Sequence, residues 1–371
     1  MSTIQQKGSV KFSKGQNEFF SLLKKRVNNY FKEHNISKHA NAEMVIKSII
    51  LLGTFVLGFS YITFGNPGFL IAIIIWAIMG FAKAGIGMSV MHDANHGAYS
   101  SNAKVNEYIG YTLNMLGGAV FNWKLQHNIL HHTYTNITHM DDDIDAKVVL
   151  RLSPHLSVKN FHRLQFVYAF FLYGITTLYW VLAKDFVQFV KYTKNGVNNN
   201  SEAKNKTTLL KIVGIKIVYL FFMLALPMLM GVIWWQVVLG FLLMHFIAGV
   251  VLTVIFQLAH SVEETTHPMP DENGMIENNW AIHQMNTTVN FSPNNRLINW
   301  YVGGLNFQVE HHLFPRICHV HYPAIAKIVR KTAEEFGIPY LENKTFTIAL
   351  KSHLSLLYNY GRIPHLNEAI V

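Results

Sequence analysis

Residues 217–259, IVYLFFMLALPMLMGVIWWQVVLGFLLMHFIAGVVLTVIFQLA, decide how this sequence folds. The stretch contains no Asp, Glu, Lys or Arg, and a single helix of this length would be about twice as long as one membrane crossing requires. We therefore interpret it as a helical hairpin that turns near residues 227–233. Because the apolar pattern begins near Leu209, we predict two membrane spans, at about 209–231 and 234–258.

Two further apolar runs stand earlier in the chain and predict two more spans. The first, residues 48–64, is uncharged, and the second, residues 68–91, is interrupted only by Lys83. Residues 66–68, NPG, separate the runs with turn chemistry. We predict spans at about 45–64 and 68–91, which makes four in total. Lys83 stands nine residues before His92, on the opposite face of an ideal helix, and we interpret it as a lysine that snorkels towards the membrane surface.

Residues 165–183 form a fifth apolar run, QFVYAFFLYGITTLYWVLA. If it crossed the membrane, the histidines of the first half of the chain would face the opposite side from those of the second half. Its tyrosines and its tryptophan suit the membrane interface. We therefore expect this segment to lie along the membrane or to dip in and out of it, with a fifth span as the alternative.

The distribution of Lys and Arg predicts the orientation. Residues 1–47 hold nine, residues 92–208 hold eleven, and the part from residue 260 holds eight, whereas the two predicted outer turns hold none. Because positive charge stays on the cytosolic side, we expect both termini and the histidines to face the cytosol.

Composition narrows the class of protein further. Half of the 371 residues are hydrophobic and only 14% are charged, which is typical of an integral membrane protein. The single cysteine, Cys318, cannot form an internal disulfide, a cysteine zinc site or an iron–sulfur cluster. The net charge of +10 suits an anionic lipid, an acidic redox protein or a phosphorylated substrate. We expect no nucleic-acid partner, because the basic residues are scattered beside the spans.

Three short motifs concentrate histidine: MHDANHG at 91–97, WKLQHNILHHTYTN at 123–136 and QVEHHLFP at 308–315. Histidines four residues apart share one face of a helix. With the histidine that ends the fourth predicted span, the candidate metal ligands are His92, His96, His127, His131, His132, His260, His311 and His312. Imidazole suits Zn, Cu, Fe and Ni, and eight such ligands exceed the four of a structural zinc site. The sequence therefore predicts an all-α integral membrane protein with four transmembrane helices and a cytosolic helical cap that holds a histidine-bound di-metal site.

A histidine-rich metal transporter or a membrane haem protein is the non-enzymatic alternative. A transporter needs polar ligands near the middle of the membrane, whereas these clusters lie beyond the ends of the spans. Adjacent histidine pairs also suit a bis-histidine haem poorly.

The segments HDANH, HNILHH and QVEHH resemble the three histidine boxes of the membrane fatty acid desaturases. They stand where that family has them: after the second span, shortly afterwards, and after the fourth. The resemblance covers about residues 45–340. The stretch GLNFQVEHHLFP, in which glutamine opens the third box, is similar to the front-end branch, whose members insert a double bond between an existing one and the carboxyl end. Bacterial linoleoyl-CoA or delta-6 desaturases are the nearest likeness.

The resemblance implies two irons held by the eight histidines, with His260 matching the histidine that the family's fourth span supplies. Gln308 stands where other branches have a histidine, and it is a ninth candidate: a weak ligand, the holder of a metal-bound water, or a hydrogen-bond partner of a ligand. Metal-bound imidazoles usually donate their second N–H to a neighbouring group, and Asp93, Asn136 and Glu310 are the candidates for that role. We interpret most of DDDID, residues 141–145, as a solvated acidic turn, and His283 as a structural or supporting residue.

The resemblance also implies the reaction. A desaturase takes O2, two electrons and two protons, and converts a saturated carbon pair of a fatty acyl-CoA or acyl-lipid into an alkene. The sequence shows no G-x-G-x-x-G fingerprint and no haem-binding HPGG stretch. We therefore expect an external electron donor, a ferredoxin or a small b-type cytochrome with its reductase, and a multi-pass protein in a bacterial inner membrane. A membrane di-iron hydroxylase of alkyl chains or carotenoids is the enzymatic alternative, and the glutamine in the third box favours the desaturase.

The ends of the chain complete the predicted organisation. We predict a cytosolic segment over residues 1–44, a membrane desaturase domain over 45–340 and a cytosolic tail over 341–371. Residues 16–34 have the spacing of an amphipathic helix, which either lies at the membrane interface or packs on the protein itself.

Overall fold

The computed structural model describes residues 10–15, 17–144 and 149–364, and these are mostly helical. The helical class expected from the sequence is therefore confirmed. The described strands have two residues each and form two parallel pairs: β1 (Lys11–Phe12) with β2 (Met275–Ile276), and β3 (Asn290–Phe291) with β4 (Glu342–Asn343).

Eight helices of the described chain have fourteen or more residues. They are α1 (Asn17–Glu33), α2 (Ala42–Phe64), α3 (Phe69–Asn95), α4 (Asn160–Lys194), α5 (Glu202–Leu229), α6 (Trp234–His260), α7 (Tyr322–Glu335) and α8 (Phe346–Tyr360). Shorter segments are Ala103–Gly110, Thr112–Met115, Val120–Trp123, Lys124–His131, His132–Tyr134, Trp280–Thr287, Arg296–Tyr301, Gln308–Leu313 and His319–His321.

Five helices, α2 to α6, are long and apolar enough to cross a membrane, judged by length and composition alone. Four of them cover the predicted spans, and α4 covers the segment predicted to lie along the membrane or dip into it. The hairpin turn lies where the sequence predicts it, between the end of α5 and the start of α6, and it contains Gly231 with a positive φ of 94°. A positive φ of this kind is readily adopted only by glycine.

Small residues bring the central helices close together. A methyl group on Gly80 of α3 would lie 2.8 Å from the backbone oxygen of Met244 in α6, and one on Gly87 would lie 3.1 Å from Leu252. The later glycine of α3 faces the later residue of α6, so the two helices run in the same direction. Their histidine-bearing ends are therefore side by side.

Helix α4 has both of its ends on the histidine side of the fold. Near its start Gln165 donates a hydrogen bond to the Leu357 oxygen of α8, and near its end Gln188 donates one to Gln126, which precedes a box histidine. Its middle contacts α6, where the Thr177 hydroxyl donates to the His245 oxygen at 2.8 Å.

The terminal segments pack on this core. Helix α1 buries Phe19, Leu23, Val27 and Phe31 in a cluster with residues of α7, so of the two alternatives for this helix the structure shows packing on the protein itself. Helix α8 lies within the predicted tail and is joined to α4 and α6 through His353, which lies 3.0 Å from the Tyr173 hydroxyl. Residues 1–9 and 365–371 lie outside the described chain.

Candidate metal centre

All eight histidines singled out in the sequence converge in one buried region beside the ends of α3 and α6, and each side chain is at most 9% exposed. The elements that carry them are the end of α3 for His92 and His96, the helical run 124–134 for His127, His131 and His132, the end of α6 for His260, and the short helix Gln308–Leu313 for His311 and His312.

The nitrogen atoms that could bind metal form two groups. In the first group, which we call group 1, ligand atoms of four histidines lie within 4.8 Å of one another: His92, His96, His127 and His311. In group 2 the same holds for His131, His260 and His312. His132 joins the groups, because its ligand atom lies within the same distance of those of His311 and His312. Two adjoining groups of imidazoles suit two metal ions better than one.

Several of these ring nitrogens are buried and have no hydrogen-bond partner among the described residues. They are Nδ1 of His92, Nε2 of His96, Nε2 of His131, both nitrogens of His132, Nε2 of His311 and Nε2 of His312. A buried polar atom without a partner costs about 1–3 kcal/mol. A neutral imidazole nitrogen is also the commonest metal ligand in proteins. The donor set therefore fits metal ions.

Two of the three rings of group 2 have short hydrogen bonds to residues outside the group. Nδ1 of His131 lies 2.9 Å from the fully buried carboxylate of Asp141. Nδ1 of His312 lies 2.7 Å from Oε1 of Gln284. Such outer contacts select the tautomer and orient the ligand ring.

The outer contacts of group 1 are longer. Nδ1 of His127 lies 3.4 Å from the Asp143 carboxylate, and Nδ1 of His311 lies 3.2 Å from the Tyr322 hydroxyl. These two rings are therefore held less tightly than the rings of His131 and His312.

Two of the three predicted supporting residues form no hydrogen bond to a ring nitrogen of the eight histidines. The Asp93 carboxylate lies 3.9 Å from Nδ1 of His92, beyond hydrogen-bond distance, and 2.8 Å from Nδ1 of His319 instead. Asn136 donates its backbone N–H to Asp141 at 3.0 Å and its side-chain amide to the backbone oxygen of His260 at 2.9 Å, so it supports group 2 through these two residues.

The third predicted supporting residue, Glu310, forms its hydrogen bonds elsewhere. It accepts from Asn290 at 2.7 Å and from Tyr340 at 3.0 Å. Burial raises the pKa of Glu310 to about 7, although these two hydrogen bonds oppose the shift. The structure thus places Glu310 beside the third box without directing its carboxyl group at a histidine ring.

Gln308 is buried and lies against the His260 ring of group 2. Its amide nitrogen is 2.7 Å from Nε2 of His260, and its side-chain oxygen is buried without a partner. The other ring nitrogen of His260, Nδ1, lies 3.4 Å from the Thr287 oxygen, so both nitrogens of this ring have a neighbour.

Burial keeps most of these histidines neutral. It lowers the pKa of five of them well below the ordinary value: His96, His127, His132, His311 and His312. Neutral rings are the form that binds metal. Burial also opposes the protonation of His131, but the carboxylates of Asp141 and Asp143 outweigh it, and the pKa of His131 is raised.

An apolar cavity of about 610 Å³ reaches group 1 and Gln308. Helix α3 lines it with five residues spaced along one face: Lys83, Gly87, Met88, Met91 and His92. The volume is ordinary for a small-molecule site, and the apolar lining suits an apolar ligand.

The position of Lys83 differs from the sequence prediction. Residues 86–90 of α3 are π-helical, and a π turn takes up one more residue than an α turn, so His92 is rotated relative to an ideal helix. Lys83 and His92 consequently line the same cavity. Lys83 is 2% exposed and donates to the Leu116 oxygen at 2.6 Å, so the interpretation that it snorkels to the membrane surface is wrong.

Four residues that orient the histidines were not predicted for that role: Asp141, Asp143, Gln284 and Tyr322. The solvated-turn interpretation is wrong for Asp141, which is fully buried. Its distance of ten residues from His131 was a usable signal. Gln284 and Tyr322 carry no such signal, because their contacts depend on chain folding. Asp145 lies outside the described residues, and His283 lies 2.9 Å from the Thr135 oxygen.

Comparison with known proteins agrees with this geometry. The family model described as fatty acid desaturase matches residues 24–344. A protein of Arthrospira platensis named sn-1 linoleoyl-lipid 6-desaturase is 36% identical over 91% of this chain and 91% of its own length. A protein of the same name from Synechocystis sp. is 35% identical over 95% of this chain and 98% of its own length. An acyl-lipid (8-3)-desaturase of Physcomitrium patens is 34% identical over 96% of this chain and 74% of its own length.

Proposed function

The chain belongs to the fatty acid desaturase family, and from this premise we propose that it inserts a cis double bond into an acyl chain carried by a membrane lipid. It is a fatty acyl desaturase of the front-end type. The relatives named linoleoyl-lipid 6-desaturases favour a chain with existing double bonds as substrate and carbon 6 as the position of the new one. They favour a lipid over CoA as the carrier.

The observation that carries the proposal is the meeting of the apolar cavity with the histidines. His92, His127 and Gln308 all line the cavity, so a chain lying in it would pass beside group 1. An extended methylene chain has many equivalent carbons, and only a narrow cavity can hold one pair of them beside the reacting centre.

Two iron ions complete the proposed site. The eight histidines would hold them, and Gln308 would stand beside His260 as a neighbour of the metal ligands. When bound, an iron pair with O2 supplies the oxidising power needed to remove hydrogen from an unactivated methylene, which no side chain can supply. Asp141, Gln284 and Tyr322 would hold ligand rings in orientation.

We further propose that the chain crosses the membrane four times and that α4 dips in and out. The two ends of α4 both contact elements on the histidine side, which supports this topology. The Lys and Arg distribution supports a cytosolic position for the histidines and the termini. We propose a bacterial inner membrane as the location and a ferredoxin or a small b-type cytochrome with its reductase as electron donor.

Expression in a bacterial host supplied with linoleate tests the function. We expect a new fatty acid with one more double bond, on the carboxyl side of those already present, and enriched in glycerolipids relative to the acyl-CoA pool. The matched control is a His96→Ala variant, which removes one group 1 ligand. A hydroxylated product would instead support the di-iron hydroxylase alternative. A new double bond on the methyl side would contradict the front-end assignment.

A further inference from the structure

At the end of the apolar cavity that lies away from the histidines, the lining residues Lys83 and Thr177 belong to a buried network of polar side chains. Nζ of Lys83 donates to the Leu116 oxygen at 2.6 Å and to the Tyr219 hydroxyl at 2.9 Å. The Tyr219 hydroxyl lies 2.9 Å from Nε2 of His245, whose Nδ1 lies 2.9 Å from the Thr177 hydroxyl. We call Lys83, Thr177, Tyr219 and His245 the polar floor.

The polar floor is separated from the histidines by an apolar stretch. Lys83 precedes His92 by nine residues, which corresponds to about 13 Å along a helix. Between them Gly87, Met88 and Met91 line the cavity. The cavity wall between them is thus apolar on the α3 side, and hydrogen-bonded groups stand at its end.

The polar floor is buried and well supported. Lys83 is 2% exposed and Thr177 is 5% exposed. Beneath it Lys216 bonds to the Gly117 oxygen and to the Asp185 carboxylate, and this ties the adjoining loop in place. A chain end that moved deeper would have to displace the Lys83 amine from both of its acceptors, with no water to replace them.

We propose that Lys83, held by the polar floor, sets the maximum length of acyl chain that fits beyond the metal centre. This inference rests on the proposed function and adds a specificity determinant to it. An apolar side chain at this position could change rotamer to admit one or two more methylene groups. Lys83 cannot do so without breaking two hydrogen bonds, so the limit is sharp.

A series of acyl chains of increasing length tests the proposal. The chains carry the same double bonds counted from the carboxyl end and are supplied in equal amounts to cells that make the enzyme. For the wild type we expect desaturation to fall about 10-fold or more between the longest accepted chain and the next one offered. In Lys83→Ala the limit should move to chains longer by at least two carbons.

A variant at Gly118 should act in the opposite direction. A methyl group there would lie 2.9 Å from a Leu113 methyl and 3.0 Å from the Trp180 ring, so one of them must move, and the cavity that all three residues line would become narrower. We expect Gly118→Ala to shift the preference towards shorter chains.

The control is Lys47→Met, which removes a different buried lysine from α2, one that does not line the cavity. It should change conversion of all chain lengths alike, and the ratio between lengths should stay as in the wild type. If Lys83→Ala does not accumulate in the membrane, Lys83→Met replaces it. This variant keeps most of the length of the side chain and loses both hydrogen bonds, and a smaller shift in the same direction is expected.

An unchanged ratio in a Lys83 variant that still desaturates would overturn this proposal and leave the proposed function intact. Loss of product at every length in both Lys83 variants, with protein present in the membrane, would also overturn it, because Lys83 would then be structural only. A wild type that makes no product from any chain would overturn the proposed function itself.

Discussion

The two ends of the apolar cavity both carry buried nitrogen atoms, and they differ in whether those atoms have partners. At the metal end, Nε2 of His96 and Nε2 of His312 have none among the described residues. At the floor end, Lys83 and both nitrogens of His245 are hydrogen-bonded. Because burial without a partner is costly, the first pattern indicates ligands for metal and the second indicates a rigid wall.

The largest expected effect separates the two ends directly. His96→Ala should reduce the iron content of purified enzyme by about one ion per chain and abolish product formation, because it removes a ligand from group 1. His245→Gln should leave the iron content unchanged. Elemental analysis of both variants makes the measurement. The comparison fails if His96→Ala keeps both ions or if His245→Gln loses one.

Removing the cation of a buried ion pair near the polar floor should lower the thermal stability of the protein and leave its iron content unchanged. Lys216→Met leaves the fully buried Asp185 carboxylate with hydrogen bonds from Ala119 and Trp180 but without its cation, and losing one partner of a buried ion pair costs about 3–5 kcal/mol. We expect a much lower temperature of thermal inactivation in detergent, with normal iron content in the remaining folded protein. Adding Asp185→Asn should restore part of the loss. A normal inactivation temperature in Lys216→Met would show that the pair contributes little.

At the metal end, removing a shorter outer contact should weaken iron binding more than removing a longer one. Asp141→Asn should weaken iron binding by about 10–100-fold, because this carboxylate orients His131. Asp143→Asn should have a smaller effect, since its contact with His127 is longer, at 3.4 Å, and its side chain is 16% exposed. Iron retention during titration with a chelator compares the two. Equal losses would show that the length of these two contacts does not determine how firmly iron is held.

Gln308 tests whether the metal end contains a ninth ligand. Its amide nitrogen faces His260, so we expect Gln308→Ala to keep both ions and to lower product formation about 10-fold by loosening that ring. Gln308→Glu is the matched variant of equal size. Loss of one ion in Gln308→Ala would instead make Gln308 a ligand.

The smallest effect at neutral pH concerns His283, a hydrogen-bonded histidine beside group 2. Burial lowers its pKa to about 4, below the value of 6.5 for the unfolded chain. Between these two pH values the imidazole of His283 is protonated in the unfolded state and neutral in the folded state. The free energy of unfolding therefore has its full value above about pH 6.5 and falls as the pH drops towards 4. His283→Gln should flatten this fall in inactivation temperature and leave iron content unchanged. An identical pH profile in the variant would contradict the assignment.

Much of the fold and of the candidate site could be predicted from the local spacing of residues. The four apolar runs, the turn between α5 and α6 and the eight histidines were all identified from the sequence, because span length and helical periodicity are properties of short stretches. The family resemblance rested on the same local motifs.

Contacts between residues that are distant in the sequence could not be predicted from local spacing. Gln284 meets His312 and Tyr322 meets His311 only after the chain has folded, and Glu310 turns away from the rings although it stands between predicted ligands. Asp141 was close enough in sequence to be considered, but its burial could not be deduced from an acidic run.

The sequence by itself determined that this is a helical membrane protein with a histidine-rich centre, because hydropathy and motif spacing act within single elements. Only the tertiary structure decided which nitrogens are left without partners and that Lys83 lines the same cavity as His92. The physical reason lies in two features of α3. The π-helical turn at residues 86–90 rotates its later residues, and the helix packs closely on α6. Neither the rotation nor the closeness of the packing follows from residue spacing alone.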